Sequence, residues 1–595
     1  MIRRRAAALA VVLAVLAVWA CRAPEVGLPA GPPADPHAPY DSVASKAMVV
    51  AAHPLAAEAG VALLKAGGNA VDAAVATAFA LNASEPFASG IGGGGFMLIH
   101  MARTGKTTVV NFREKAPAAA RPTMFTEKGE ARDEWRTVKG TAVGVPGMLA
   151  GWSTALTKYG TKSLAQAAAR AIEIAEQGFP VSATFSSINK EEYDKILKNA
   201  GEASCYLNGG LPYEPGEVFR NPDLARTLRL VAEKGTAEFY TGSVARKIVA
   251  AVGAAGGVMT LADLAAYAPV EFEPLRGTFK GYEIRTAPPP ATGGLHLLQL
   301  LTVAEPWPLK AWGHNSVPAV HHLSEAMRFL FADKDRYDGD PESVAVPVRE
   351  LLAPEAISRI RSAIAADRTA ASYPFSRFDG GRSPGFRPGI SFRREGSSLD
   401  ALEEKKENTT HVCVVDAEGN IVALTQSIQN FFGTGIVPEG TGFLLNDQMG
   451  DFSTDPKSPN APAGGRRPVS NMTPLILFRD GRPVLALGSP GGTRIFPSLA
   501  QILFNIIEYG MPLDAAIEAP RFFSYSVEGK PRPVSVEERF AAGTIAGLKA
   551  LGHAVTVREP YDKYFGGAHG IMILRDRGIL LGGADSRRDG VGRGY

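Results

Sequence analysis

Glu407-Asn408-Thr409-Thr410-His411 marks the point in the 595-residue chain where a charged run turns abruptly into a strand. Upstream lies Leu402-Glu403-Glu404-Lys405-Lys406-Glu407, which has little to bury. Downstream, Val412-Cys413-Val414-Val415 runs into Asp416-Ala417-Glu418-Gly419-Asn420 and then Ile421-Val422-Ala423-Leu424. Two apolar runs around a glycine-containing turn predict a β-hairpin with Thr409 at its first residue. Alone, the threonines carry no chemistry, because threonine is a good strand former and most Thr-Thr pairs are strand surface.

Around this hairpin the composition is that of an ordinary globular chain. With 45% apolar and 21% charged residues, neither disorder nor a multi-span membrane protein is indicated, and the length allows a large core and two or more domains. Residues 1–20 read as a signal peptide: Arg3-Arg4-Arg5 opens it, an uncharged apolar run follows to Ala20, and that run is too short for a comfortable spanning helix. Export to the periplasm is the expectation. Val18-Trp19-Ala20-Cys21 partly fits a lipoprotein box, making Cys21 a candidate lipidation site and the chain a candidate outer-membrane-associated lipoprotein. Trp19 is bulky for such a box, and simple cleavage nearby is the competing reading. Residues 21–45 would then be a tether. Removing the leader takes three of the 63 basic residues, which then match the 60 acidic ones, so the formal charge of +3 carries no nucleic-acid signal. Besides Cys21 only Cys205 and Cys413 remain, and two buried thiols are expected rather than a disulfide framework.

Helical patterns cover residues 55–65 and 70–81, alanine-rich and suited to close packing. Ser89-Gly90-Ile91-Gly92-Gly93-Gly94-Gly95-Phe96 lacks a Gly-Lys-Ser/Thr ending and reads as a tight backbone crossing, not a nucleotide loop. Strands are expected at 97–100 and 107–110. Residues 140–270 read as mostly helical, with helices after Gly144-Val145-Pro146-Gly147 and over 163–177 and 223–234. A single strand is expected over 278–287, and helices over 295–304 and 495–509. His321-His322 lacks the i, i+4 spacing of a metal pair, and no metal site is visible. Strand pairs are read at 475–478 with 484–487 and at 570–574 with 578–582. Residues 367–408 lose apolar periodicity and are expected to form a mobile segment leading to Thr409.

The company of the Thr409 hairpin changes its meaning. Phe432-Gly433-Thr434-Gly435-Ile436, Leu444-Leu445-Asn446-Asp447-Gln448-Met449-Gly450-Asp451-Phe452, Arg467-Pro468-Val469-Ser470-Asn471-Met472-Thr473-Pro474 and Gly488-Ser489-Pro490-Gly491-Gly492-Thr493-Arg494 follow it in order. Together with the glycine run, Asn111-Phe112-Arg113-Glu114-Lys115-Ala116-Pro117 and Asp338-Gly339-Asp340-Pro341, this set resembles the γ-glutamyltranspeptidase family of N-terminal nucleophile hydrolases over residues 46–595. The resemblance implies an α+β fold, a four-layer αββα sandwich. It also implies autocatalytic cleavage between Asn408 and Thr409 into a large subunit, 46–408, and a small catalytic subunit, 409–595, which stay associated.

The resemblance assigns roles by position. Thr409 is the nucleophile, and Ser427 stands where a hydroxyl bonds it. Arg113, Ser470 and Asn471 hold a substrate α-carboxylate, for which a planar guanidinium fork is suited. Gln448 and Asp451 hold the α-ammonium, and the N–H groups of Gly491 and Gly492 form the oxyanion hole. A threonine hydroxyl needs a base. The α-amine freed by the cut, with an ordinary pKa of about 7.7–8.0, supplies one within the same residue, so His411 is not required. The expected reaction moves a γ-glutamyl group from an amide such as glutathione to water, an amino acid or a short peptide, with no cofactor.

Two departures bear on specificity. Gln429 stands where asparagine is common, and Asn471 replaces the second of two serines; the 452–467 segment is also short, which leaves the pocket without a long lid. Two alternatives remain: an acylase of the same architecture acting on glutaryl-type amides, and a non-catalytic exported binding protein.

Overall fold

The fold is taken from a computed structural model that describes residues 42–377 and 408–595. The signal peptide, Cys21, nearly all of the tether and the greater part of the segment expected to be mobile lie outside the described residues. The described chain begins with β1 (Ser42–Ala44), β2 (Met48–Ala51), α1 (Pro54–Lys65), α2 (Ala70–Ser84), β3 (Gly94–Met101) and β4 (Lys106–Asn111). Then come α3 (Met148–Tyr159), α4 (Leu164–Gln177), α5 (Pro222–Lys234), β5 (Val270–Phe272), β6 (Leu275–Phe279), β7 (Tyr282–Thr286), α6 (Gly293–Ala304) and α7 (Val317–Tyr337). The C-terminal part supplies β8 (Thr410–Val415), β9 (Ile421–Ser427), β10 (Leu475–Arg479), β11 (Arg482–Gly488), α8 (Ile495–Ile507), β12 (His569–Leu574), β13 (Ile579–Ala584) and β14 (Val591–Gly594).

These strands form two seven-stranded antiparallel sheets, ordered β14-β2-β8-β9-β3-β4-β5 and β1-β13-β12-β11-β10-β7-β6. The period-2 geometry of a strand sends alternate residues to opposite faces, and here both faces are buried. Val412, Val414, Val422 and Leu424 pack with α1 and α2. Cys413, Val415, Ile421 and Ala423 face Ile476, Ala486 and Ile571 of the other sheet. Leu475, Leu477, Leu485 and Leu487 pack with α6, α7 and α8. Three apolar seams between four layers make the αββα sandwich, and strands from both sides of the Asn408–Thr409 bond share each sheet.

Glycine and alanine set the tight contacts. A Cβ at Gly60 of α1 would lie 2.3 Å from Thr77 Oγ1 of α2. In the glycine run, a Cβ at Gly92 would fall 2.0 Å from the Leu444 carbonyl oxygen and one at Gly93 2.1 Å from that of Ser427, so the run is the backbone crossing read from the sequence. Cys205 and Cys413 are free thiols. His321 is structural, with ring nitrogens 2.8 Å from His553 Nε2 and 2.7 Å from the Ala365 carbonyl oxygen.

Two expectations need correction. The strand expected over 278–287 is the β6–β7 hairpin, turning at Lys280-Gly281 with both residues at positive φ (47° and 83°). A lysine in the left-handed region is uncommon, so the Lys-Gly pair hid the turn. The fold also reaches back into the tether range, because Ser42, Val43 and Ala44 pair with Gly582, Leu581 and Leu580; three residues are too few for a readable periodicity.

The second sheet is braced by a buried ion cluster. Asp585 takes Arg521 at 2.6 Å and Arg587 at 2.9 Å, and Arg587 also pairs with Glu537. Burial works against ionising Asp585, yet the two guanidiniums hold its carboxyl well below the usual range. The same carboxylate accepts the Ala568 N–H at 2.9 Å, fixing the loop against which Gly491 packs, Gly566 Cα being 3.1 Å from a Cβ built there. Asp585→Ala leaves buried cations uncompensated and is expected to cost about 3–5 kcal/mol, measured as the shift in urea-unfolding midpoint.

Candidate active site

The strand directions gather chemistry at one end of the sandwich. β8 begins just after Thr409, β9 ends at Ser427, β4 ends two residues before Arg113, and β11 ends three residues before Gly491. The two sheets meet there closely, since a Cβ at Gly488 would lie 2.2 Å from the His411 ring. The hairpin register pairs Thr410 with Gln426, which sets Thr409 beside Ser427.

Both hydroxyls aim at one atom. Thr409 Oγ1 donates to the Asn408 carbonyl oxygen at 2.5 Å and Ser427 Oγ donates to the same oxygen at 2.6 Å. Asn408 and Ser427 are fully buried and Thr409 nearly so. The Asn408 N–H donates to the Gln429 carbonyl at 2.7 Å, and the Gln429 N–H donates to Ser427 Oγ at 2.7 Å. The Asn408 carbonyl is thus polarised by two donors while a hydroxyl stands against its own peptide bond.

A second cluster adjoins this one. Gln429 Nε2 donates to Asp451 Oδ1 at 2.5 Å. Arg113, 1% exposed, donates to Asp451 Oδ2 at 2.5 Å, to Gln448 Oε1 at 2.5 Å and to the carbonyls of Val469 at 2.8 Å and Pro468 at 3.2 Å. The guanidinium expected to hold a carboxylate is therefore bonded to the very groups expected to hold an ammonium. Ser470 is fixed by its backbone, donating to Pro290 O at 2.7 Å and accepting from Thr292 N at 2.7 Å. Among the described residues, Gln448 Nε2 and Asn471 Oδ1 are buried without a hydrogen-bond partner. Gly491 and Gly492 stand at φ 124° and 55°, and the donors that meet the Asn408 carbonyl are the two hydroxyls rather than these glycines.

Three residues that the sequence reading left without a role support the site. Asn446 clamps the glycine run, donating to Gly92 O at 2.6 Å and Gly144 O at 2.9 Å. Asp447 accepts from Asn430, and burial pushes its carboxyl up to about 7. Glu114 lies 3.4 Å from Arg113, and burial, opposed by that guanidinium, pushes its carboxyl up to about 8. The Arg-Glu pair in the 111–117 motif was the signal available for Glu114.

The gamma-glutamyltranspeptidase family model matches residues 56–595. The glutathione hydrolase proenzyme of Bacillus subtilis (strain 168) is 38% identical over 558 residues, covering 93% of this chain and 92% of that one. That of Escherichia coli (strain K12) is 36% identical over 565 residues, with 93% and 92% covered. The crystal structure of cephalosporin acylase from Bacillus halodurans superposes with a TM-score of 0.80 at 29% identity, over 95% of this chain and 99% of that one. Fold and likeness together define an N-terminal nucleophile hydrolase. Within that class the chain belongs to the γ-glutamyltranspeptidase family, and its activity is γ-glutamyl transfer and hydrolysis.

Glu114 gives this site a pH signature. Its carboxyl ionises near 4.5 once unfolded and near 8 when folded, so its contribution to stability is full below about pH 4.5 and is lost as pH rises toward 8. Glu114→Gln, uncharged throughout, is expected to flatten that fall; melting temperatures of both proteins between pH 5 and pH 8 check it.

Proposed function

We propose that Thr409 is the nucleophile of both self-cleavage and catalysis, and the observation that carries this is the convergence of the Thr409 and Ser427 hydroxyls on the Asn408 carbonyl oxygen. In maturation, Thr409 Oγ1 attacks the Asn408 carbonyl carbon, the C–N bond breaks as the nitrogen takes a proton, and water then hydrolyses the resulting ester. The products are a large subunit ending at Asn408 and a small one beginning with Thr409.

In turnover, the freed α-amine accepts the proton of Thr409 Oγ1 as that oxygen attacks the γ-carbonyl of the donor. Developing negative charge on the carbonyl oxygen is received by the N–H groups of Gly491 and Gly492. The amine leaving group departs protonated, and a γ-glutamyl-threonine ester remains. Water, an amino acid or a short peptide then takes the acyl group. Arg113, with Ser470 and Asn471, binds the donor α-carboxylate, which replaces Asp451 and Gln448 on the guanidinium. Those two, with Gln429 beside them, are left to meet the α-ammonium. Glutathione, the substrate named for the curated relatives, is the donor of choice. The short 452–467 segment favours hydrolysis over transfer.

Among the described residues no helix is long and apolar enough to cross a membrane, and residues 1–20 support delivery to the periplasm, with Cys21 as the candidate lipid attachment point.

The acylase likeness supports a second reading, in which glutaryl-type amides are the donors. A site built for both an α-carboxylate and an α-ammonium leaves buried polar groups unpaired when the amine is missing. Matched γ-glutamyl and glutaryl anilides separate the two. The expected kcat/KM for the glutaryl compound is lower by on the order of a hundredfold or more, and equal values favour the acylase.

A further inference from the structure

Opposite the catalytic end, four turns of the sandwich come together. They join β3 to β4, β8 to β9, β10 to β11 and β12 to β13. Between them lies a cleft of about 280 Å³ whose lining includes His100 and Glu418 from one sheet and Arg285, Arg482 and Arg575 from the other. Three guanidiniums therefore face one carboxylate across the seam between the sheets.

The three are not equivalent. Arg285 is buried, stacked 3.8 Å over the Phe478 ring, and held by Glu283 at 2.8 and 3.2 Å and by Thr107 at 2.8 Å. Its charge is balanced by Glu283. Arg482 and Arg575 are exposed, and among the described residues neither forms an ion pair, although Asp480 and Asp576 stand on the same turns. Among the described residues Glu418 receives only a 3.4 Å contact from Asn420 Nδ2, and the nearby Asp416 is occupied by the Ala70 and Asn420 N–H groups. His100 is held down to about 4, by burial first and then by Arg285 and Arg575.

We propose that this cleft is a binding site for a compact, multiply charged oxyanion, a phosphate or a small polycarboxylate, gripped by Arg482 and Arg575 across the floor formed by Arg285. Two uncompensated guanidinium forks on neighbouring turns match two or more anionic oxygens. The volume exceeds what one phosphate fills, leaving room for a small di- or tricarboxylate. Bound there, the anion ties together two turns of the second sheet, β10–β11 and β12–β13, beside β7. The six residues of β8 separate the cleft from Thr409 by roughly 20 Å, so occupancy does not touch the reacting atoms.

Calorimetric titration of the full protein with inorganic phosphate and with citrate, against sodium chloride at matched ionic strength, tests the proposal. Saturable binding is expected for at least one anion, weakened about tenfold or more in Arg482→Ala/Arg575→Ala, with γ-glutamyl hydrolysis unchanged. The two titrants tell a phosphate site from a polycarboxylate site. Glu418→Gln removes the carboxylate that lines the cleft among the described residues and is expected to tighten binding, a gain that misfolding cannot imitate. Heats no different from chloride, or undiminished binding in the double variant, overturn the site.

Discussion

Two hydroxyls donating to one buried carbonyl oxygen is the constraint on which the rest of this structure turns. A serine and a threonine converge on the Asn408 carbonyl only if β8 and β9 hold a fixed register, because a slip of one residue would send either side chain to the opposite face. That register is enforced by burial on both faces of the hairpin: valines and a leucine against the helices on one side, and Cys413, Val415, Ile421 and Ala423 against the second sheet on the other. The apolar seams are what aim Thr409.

The same logic extends to the parts of the site that come from elsewhere in the chain. Antiparallel order returns β4, β9 and β11 to the end where β8 begins, so Arg113, Ser427 and the Gly491-Gly492 pair arrive together from distant sequence. Arg113 spends its donors on Asp451, Gln448 and two backbone carbonyls, so in the uncut chain the guanidinium is satisfied by the pocket's own groups. In the proposed binding mode, a substrate bearing both an α-carboxylate and an α-ammonium exchanges these contacts for its own without leaving a buried charge unpaired.

Much of this was legible in the sequence for reasons that are local. The β8–β9 hairpin, the helices at 164–177 and 222–234 and the glycine crossing announce themselves through apolar runs, periodicity and residues that only a tight approach requires. The β6–β7 turn did not, because Lys280 takes a backbone conformation that its side chain does not advertise. The burial of Glu114, the pairing of Arg113 with Asp451 and the ion cluster at Asp585 were hidden for another reason. Each depends on partners far apart along the chain that only the closed sandwich brings into contact.

The most direct measurement is the mass and N-terminal sequence of the purified protein after incubation, beside a Thr409→Ala control. The account predicts two fragments, one beginning Thr-Thr-His-Val, and an intact control. A folded but uncleaved chain in both samples would contradict it, because a hydroxyl set against its own polarised peptide bond would then be doing no chemistry.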